Sequence, residues 1–371
     1  MPTVNEALLD AAISHAVDSQ HYSNGVLRRV IGLLNRADAD LFAQLAVTLE
    51  SMHADSFSVQ RLEALLGSVR ALNAEAYRQL ERSLAKELQD FAAYEAQYQQ
   101  RLFEVTIPTP VQAAVGVAAV NPQQVYAAAM SRPFQGRLLK EWASSIEAGR
   151  MTRIRDAIRM GYVEGQTTDQ IIRRLRGTRA KGYADGIIEI DRRHAAAVVQ
   201  TALSHMANFT RERVYDENRS LIKAIRWVST LDNRTSDACR IRDGKEYEPE
   251  THKPIGHSIP WGAGPGKAHW NCRSTSVPIT YSWRELGIDV DKIDPSTRAS
   301  MDGQVPAEMS YGEWLAKQSA ARQDEILGRT RGRLLREGGL KMEKFYNDKG
   351  RFLSLDELRQ RDSAAFERAG L

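Results

Sequence analysis

Residues 222–247 read "IKAIRWVSTLDNRTSDACRIRDGKEY", and their pattern departs from everything before them. Ile222, Ile225, Trp227 and Val228 crowd the first seven positions, a β-branched and aromatic run that predicts a strand. Asp232 and Asn233 then supply turn chemistry. Downstream, "EPETHKPIGHSIPWGAGPGKAHWNCRS" (248–274) is rich in proline and glycine, and "STSVPITY" (274–281) again looks like a strand. An irregular loop of that length inside a compact domain needs something to hold it.

Upstream the pattern is helical. "SFSVQRLEALLGSVRALNAEAYRQLERSLAKELQDFAAYEAQYQQRL" (56–102) has no proline, and Leu62, Leu65, Leu66, Val69 and Leu72 recur at three- and four-residue steps. Ser58 is the expected N-cap, and a break is expected near Gly67 or Asn73. "TIPTPVQAAVGVAAVNPQQ" (106–124) has neither period and reads as a linker or extended arm. Helical spacing returns in "RMTRIRDAIRMGY" (150–162), with Met151, Ile154, Ile158 and Tyr162 on one side. Thr167 and Gln170 form a capping box before Ile171, Ile172 and Leu175, and Gly177 stops that helix. In the long helix that follows, His194 and His205 read as surface or packing residues. Ser310 and Ser354 cap two helices near the end. The expected class is mainly α, with a small α+β module of short strands and an irregular Pro/Gly loop near residues 222–282. The expected domains are 1–104 (helical), 105–125 (linker or arm), 126–282 (the module with its preceding helices) and 283–371 (a helical extension).

Composition bounds the function classes. The chain has 371 residues, 42% hydrophobic and 26% charged, ordinary values for a folded domain protein. It has no run of eighteen apolar residues that would span a membrane, and "MPTVNEALLDAA" lacks the basic start and apolar block of a signal peptide. Folding in a cytosol is the expectation. The net charge of +4 is unevenly spread. Residues 1–110 carry nine basic against fourteen acidic residues, and residues 132–226 nineteen against eleven, a local excess of +8. Arg150, Arg153, Arg159, Arg173, Arg174 and Arg176 are candidate contacts for nucleic acid or an acidic protein surface. The alternative is a solvated helical face.

Two cysteines are too few for a disulfide scaffold. His269 and Cys272, with two residues between them, can reach one ion, and Cys239 joins them if the loop folds back. The result would be a structural zinc site with a fourth ligand among Asp232, Asp237, His252 and His257, of which Asp232 is taken forward. A disulfide from Cys239 to Cys272, or two separately packed thiols, are the alternatives. A cysteine nucleophile needs a base and an orienting group, and no oxyanion hole is marked. HExxH, Gly-x-Ser-x-Gly and phosphate-loop motifs are absent, and "GAGPGK" (262–267) opens no helix. The expectation is no enzymatic activity. The rival is a packaged, metal-dependent, nuclease-like DNA-processing enzyme.

The order of these pieces resembles the phage Mu F-like head-morphogenesis family. "VVQTALSHMANFTRERVYDEN", "WVSTLDNRTSDACRIRDGKEY" and "HWNCRS" carry the likeness, at Trp227, Asp232, Arg234, Thr235, Cys239, Asp243, Gly244, His269, Cys272 and Arg273. It covers roughly residues 126–280, and the tail "SYGEWLAKQSAARQDEILGRTRGRLLREGGL" resembles the extension found after this domain. Relatives often have cysteines where this chain has Ser236 and Ser274, so a four-cysteine site is impossible here. Without a metal, Asp232, Arg234 and Arg273 could still fasten the loop by charge and hydrogen bonds. The resemblance implies a minor head protein, made in the host cytoplasm and then held inside the virion head beside the portal. Portal, capsid and scaffold proteins would be its partners, with double-stranded DNA a further one if it leaves with the genome.

Overall fold

The computed structural model describes residues 3–51, 59–287, 297–300, 303–306 and 309–371. The fold is 64% helical with one small antiparallel sheet, the mainly α class with an α+β module that the sequence predicts. Before the sheet come α1 (Val4–Glu50), α2 (Val59–Leu65), α3 (Gly67–Thr106), α4 (Thr109–Val115), α5 (Pro122–Met130), α6 (Leu139–Val163), α7 (Thr168–Arg176) and α8 (Glu189–Glu217). The module holds β1 (Ile222–Val228), a single turn α9 (Asp237–Arg240), β2 (Glu246–Tyr247), β3 (Pro254–Ile255) and β4 (Thr275–Thr280). A ribbon of β5 (Thr297–Ser300) and β6 (Gly303–Pro306) precedes α10 (Tyr311–Ala316), α11 (Ala320–Leu327), α12 (Arg329–Arg336), α13 (Leu355–Arg361) and α14 (Ser363–Arg368). The capping boxes at Thr167, Ser310 and Ser354 are all formed. The expected cap at Ser58 lies outside the described residues.

Two local expectations change. The stretch read as periodless contains α4, whose Val111 is fully buried and whose first turn carries Pro110, where a missing N–H costs nothing. The helical reading of the C-terminal stretch missed β5 and β6. The Asp302–Gly303 pair in the sequence, a hairpin signal, could have flagged them.

The chain folds as two compact units, and α1, α3, α5 and α8 each contribute residues to both. One unit comprises His21–Phe91 and Tyr126–Met206. Its core joins Leu45, Leu49, Leu62 and Val69 to Ile154, Ile158, Ile171 and Leu175. Gly161 permits the close approach of α6 and α7, because a Cβ there would lie 2.5 Å from Ile171 Cγ1. Inside this unit the carboxylate of Asp38 accepts from both Arg150 and Arg192, and Arg153 pairs with Asp191.

The other unit comprises Met1–Gln20, Ala92–Val125 and Ala207–Leu371. Its sheet order is β3-β2-β1-β4, antiparallel throughout. The central strand β1 is buried on both faces over most of its length. β4 pairs with β1 so that Trp227 faces Ser276 and Ile225 faces Pro278. An edge strand tolerates that proline because one side of it needs no ladder bonds. One core packs Leu8, Phe103, Val111 and Tyr215 against Ile225, Trp227, Tyr247 and Trp261. A second gathers Tyr311, Trp314, Leu334, Phe345 and Phe366 around Leu231, Ile241 and Ile259.

A buried charge cluster links four separate segments of this unit. Glu95, fully buried, accepts from Arg211 at 3.0 Å and contacts His15 Nε2 at 2.5 Å, and Gln99 donates to it at 2.9 Å. Arg211 also donates to Thr275 on β4, and the ring of Tyr98 stacks on His15 at 3.6 Å. Removing one partner of such a pair leaves an uncompensated charge in low dielectric. Arg211→Met is therefore expected to cost about 3–5 kcal/mol, and a second change, Glu95→Leu, should recover much of that loss. Urea unfolding of both variants checks this, and an unshifted single variant would contradict it.

Candidate metal centre

Three short pieces of backbone build the centre. Ser236 caps α9, its Oγ accepting from Cys239 N at 3.4 Å, and the single turn presents the Cys239 thiol. The Asp243–Gly244 turn returns the chain to the sheet. There Gly244, at φ +75°, donates its N–H to Trp227 O at 2.9 Å. On the far side of the irregular loop, Cys272 N donates to His269 O at 3.2 Å, so His269 and Cys272 share one turn just before β4.

The two sulfurs lie 3.7 Å apart and both are free thiols, so they are neither separately packed nor joined in a disulfide. His269 Nε2 is 3.2 Å from Cys239 Sγ, and the ligand atoms of Cys239, His269 and Cys272 all lie within 4.8 Å of one another. Zinc–sulfur bonds of about 2.3 Å at a tetrahedral angle place two sulfurs about 3.8 Å apart. The observed spacing fits. His269 Nδ1 is 2.9 Å from the Trp270 carbonyl, and a proton held there turns the Nε2 lone pair toward the sulfurs. Such a carbonyl partner is the usual support of a metal-binding imidazole.

The electrostatics also favour a cation. Hydrogen bonding from Cys239, reinforced by His269, lowers the Cys272 thiol to about 4, while the same contact with Cys272, together with burial, raises Cys239. Contact with Cys272 raises His269. A thiolate enclosed in this way needs a positive neighbour, either a proton on the imidazole or an ion between the three ligands. The adjoining space, lined by Arg234, Ser236, Asn271 and Arg273, is only about 10 Å³, room for about one water.

Asp232 does not join this set. Its carboxylate accepts both Nη atoms of Arg273, at 2.6 and 2.8 Å, together with Arg234 N at 3.0 Å and Thr235 Oγ1 at 3.1 Å. Burial raises its pKa, but the Arg273 hydrogen bonds and charge outweigh that and leave it lowered. With its lone pairs used in this way, Asp232 is a clamp, and its expected place as fourth ligand is corrected. Ser236 Oγ, 2.7 Å from His269 Nε2, stands closest to the cluster instead. The other candidates are also engaged elsewhere. Asp237 pairs with Arg240, His252 stacks on Trp261, and His257 donates to Glu246 O.

Residues 152–277, from α6 into β4, match the family model described as Phage Mu protein F like protein. Over those residues the chain is similar to the Mu F-like phage head morphogenesis family. No curated protein and no solved structure matches the chain significantly.

Within the Mu F-like segment, the remaining motif positions serve as supports. Trp227 is fully buried, donates Nε1–H to Ser229 Oγ at 3.1 Å and meets Trp261 edge-on. Thr235 donates to Thr230 O at 2.5 Å, while the Arg234 side chain is 77% exposed. Asp243 is a fastening whose role the sequence reading missed. One oxygen accepts from Ser229 N at 2.7 Å and the other from Tyr311 N at 2.8 Å, joining the end of β1 to α10. Its Asp-Gly dipeptide signals the turn, but nothing local signals the bond to Tyr311.

The arginines expected at a surface divide. Arg150 is 2% exposed and paired inside its unit with Asp38, so it is not a surface contact, a correction imposed by burial of its partner. Arg153 pairs with Asp191, Arg174 with Glu164 at 2.7 Å, and Arg159 lies 4.0 Å from Asp156. Arg173 and Arg176 are exposed, and among the described residues no carboxylate lies within 4 Å of either.

Asp232→Ala should lower stability by about 1–3 kcal/mol, because Arg273 is left half-buried without its acceptor. Arg234→Ala should cost under about 0.5 kcal/mol. Chemical denaturation of the two variants checks the contrast, and equal losses would contradict the clamp.

Proposed function

We propose that the chain is a minor head protein of a bacteriophage, acting in procapsid and head assembly beside the portal. The observation that carries this reading is the Mu F-like segment at residues 152–277, because that family is a structural phage head protein family. Portal, capsid and scaffold proteins are its proposed partners, and the mature virion head its proposed site. Contact with double-stranded DNA, inside the head or on leaving it, is the finer part of this reading. Arg173 and Arg176 are the expected cations left for that contact once the internal ion pairs are formed.

The metal centre is proposed as an internal fastening that holds zinc through Cys239, His269 and Cys272. Zinc there would replace the missing apolar packing of the Pro/Gly loop with bonds to three fixed side chains. The small adjoining space supports a structural role over one that must admit a substrate.

Mass spectrometry of full particles and of particles that have ejected their DNA tests the assembly reading. Retention in both fits a fixed head component, and loss with the genome fits a protein that leaves with it. Absence from virions and from procapsids would overturn the reading. For the metal, purified protein should contain about one zinc per chain by elemental analysis. Cys272→Ala should lose that zinc and make the 248–274 loop protease-sensitive. Ser236→Cys should slow zinc loss to a chelator. DNA cleaved by pure protein with divalent metal, and spared by His269→Ala, would instead favour a nuclease.

A further inference from the structure

A cleft of about 580 Å³ opens in the unit formed by His21–Phe91 and Tyr126–Met206, away from the metal centre's residues. That volume suits a drug-sized or nucleotide-sized ligand. Ala39, exposed on α1, forms part of one wall, and Arg176 and Tyr183 form the other. Phe42 and Ile172 contribute apolar surface, and Asp38 and Arg192 contribute charge.

Tyr183 is held in an uncommon conformation. It sits at φ +66° in the loop after α7, with its N–H donated to Thr178 O at 2.9 Å. Asp185 closes that loop by accepting Thr178 N at 2.8 Å and Thr178 Oγ1 at 2.9 Å. The chain crosses itself so tightly that a Cβ on Gly177 would lie 2.6 Å from Gly186 N. The ring so placed carries the guanidinium of Arg176 at 4.8 Å from its centroid. The result is an aromatic ring with a planar, positive guanidinium over its face.

The positive charge beside the cleft is unmatched at its α7 end. Asp38 is taken up by Arg150 and Arg192, Arg192 also pairs with Glu189 at 3.0 Å, and the Nε of Arg192 is buried with no hydrogen-bond partner. Among the described residues, no carboxylate lies within 4 Å of Arg176, or of Arg173, Arg179 or Lys181 beside it. A ligand that meets all of this is anionic at one end and flat and unsaturated at the other. Bases stack on aromatic rings and on arginine planes, and phosphate oxygens take guanidinium donors.

We propose that this cleft binds a nucleotide, its base against the Tyr183–Arg176 platform and its phosphate toward the Arg176 and Arg192 side. The same chemistry is offered by a free nucleoside triphosphate and by one residue of a single strand. The inference stands apart from the head-assembly reading, because it is tested on the pure chain without particles.

The experiment measures fluorescence anisotropy of a fluorescein-labelled ten-nucleotide oligothymidylate, and calorimetry with dTTP, against the full-length protein at 0.15 M salt. Binding is expected to weaken about tenfold or more in Tyr183→Leu and in Arg176→Gln. Arg361→Gln, which removes an exposed cation on α13, should change it less than about twofold. Ala39→Trp fills the cleft from the opposite wall without touching the loop, and should abolish binding even if the loop variants fold poorly. Tight binding of dTTP assigns the cleft to a free nucleotide, and binding of the oligomer alone assigns it to a strand; either supports the proposal. No binding of either probe by the wild type at millimolar nucleotide overturns it. So does binding that Ala39→Trp leaves intact, or an equal loss in Arg361→Gln and Arg176→Gln.

Discussion

The bidentate pair of Arg273 with Asp232 is the constraint on which the sheet module depends. It fastens the end of the irregular 248–274 loop to the turn that follows β1, across 41 residues of sequence. A stretch so rich in glycine and proline has few apolar side chains to bury and a large conformational entropy to lose. Polar bonds must supply the order. Only with both ends held can Trp261 reach Trp227 and Tyr247 in the core. The thiols and imidazole of the candidate metal centre sit on the same two segments as the clamp, so both act at one junction. Asp243 extends that junction to α10 through the Tyr311 amide.

Elsewhere the fold uses single buried carboxylates as meeting points. Glu95 gathers His15, Gln99 and Arg211, and Asp38 gathers Arg150 and Arg192. A buried ion pair is a poor source of net stability, because desolvation takes back most of the attraction. Its consequence is intolerance of error, since a wrong register leaves a bare charge in low dielectric. These acids also change the meaning of the charge count. Part of the +8 excess over residues 132–226 lies inside the molecule, neutralised by acids from the N-terminal hundred residues. Arg173, Arg176, Arg179 and Lys181, at the end of α7 and in the loop beyond it, are part of the excess that remains exposed.

The centre and the cleft have different characters. Around Cys239, His269 and Cys272 the space admits about one water, and most neighbouring polar groups are already bonded to protein. Beside Tyr183 the space is open, positively charged and bounded by a rigid aromatic. The first suits a fastening and the second suits recognition.

Local order was legible because it is written in neighbouring residues. The three- and four-residue spacing of Met151, Ile154 and Ile158 gives a helix face, and Thr167, Ser310 and Ser354 cap their helices through residues three positions on. The β-branched run of β1 and the short strand of β4 follow from the same kind of signal. The pairing of His269 with Cys272 was readable too, since two intervening residues place both on one turn. What joined Cys239 to them, and kept Asp232 out, was not. The choice between ligand and clamp rested on Arg273 engaging both carboxylate oxygens of Asp232. The short α4 escaped detection because seven residues hold too little of a period, and its burial comes from contacts far along the chain. Arg150 and Arg173 look alike in sequence, each an arginine on an amphipathic helix. Only tertiary structure set Asp38 against the first and left the second in water, because a charge is matched by what packs against it in space.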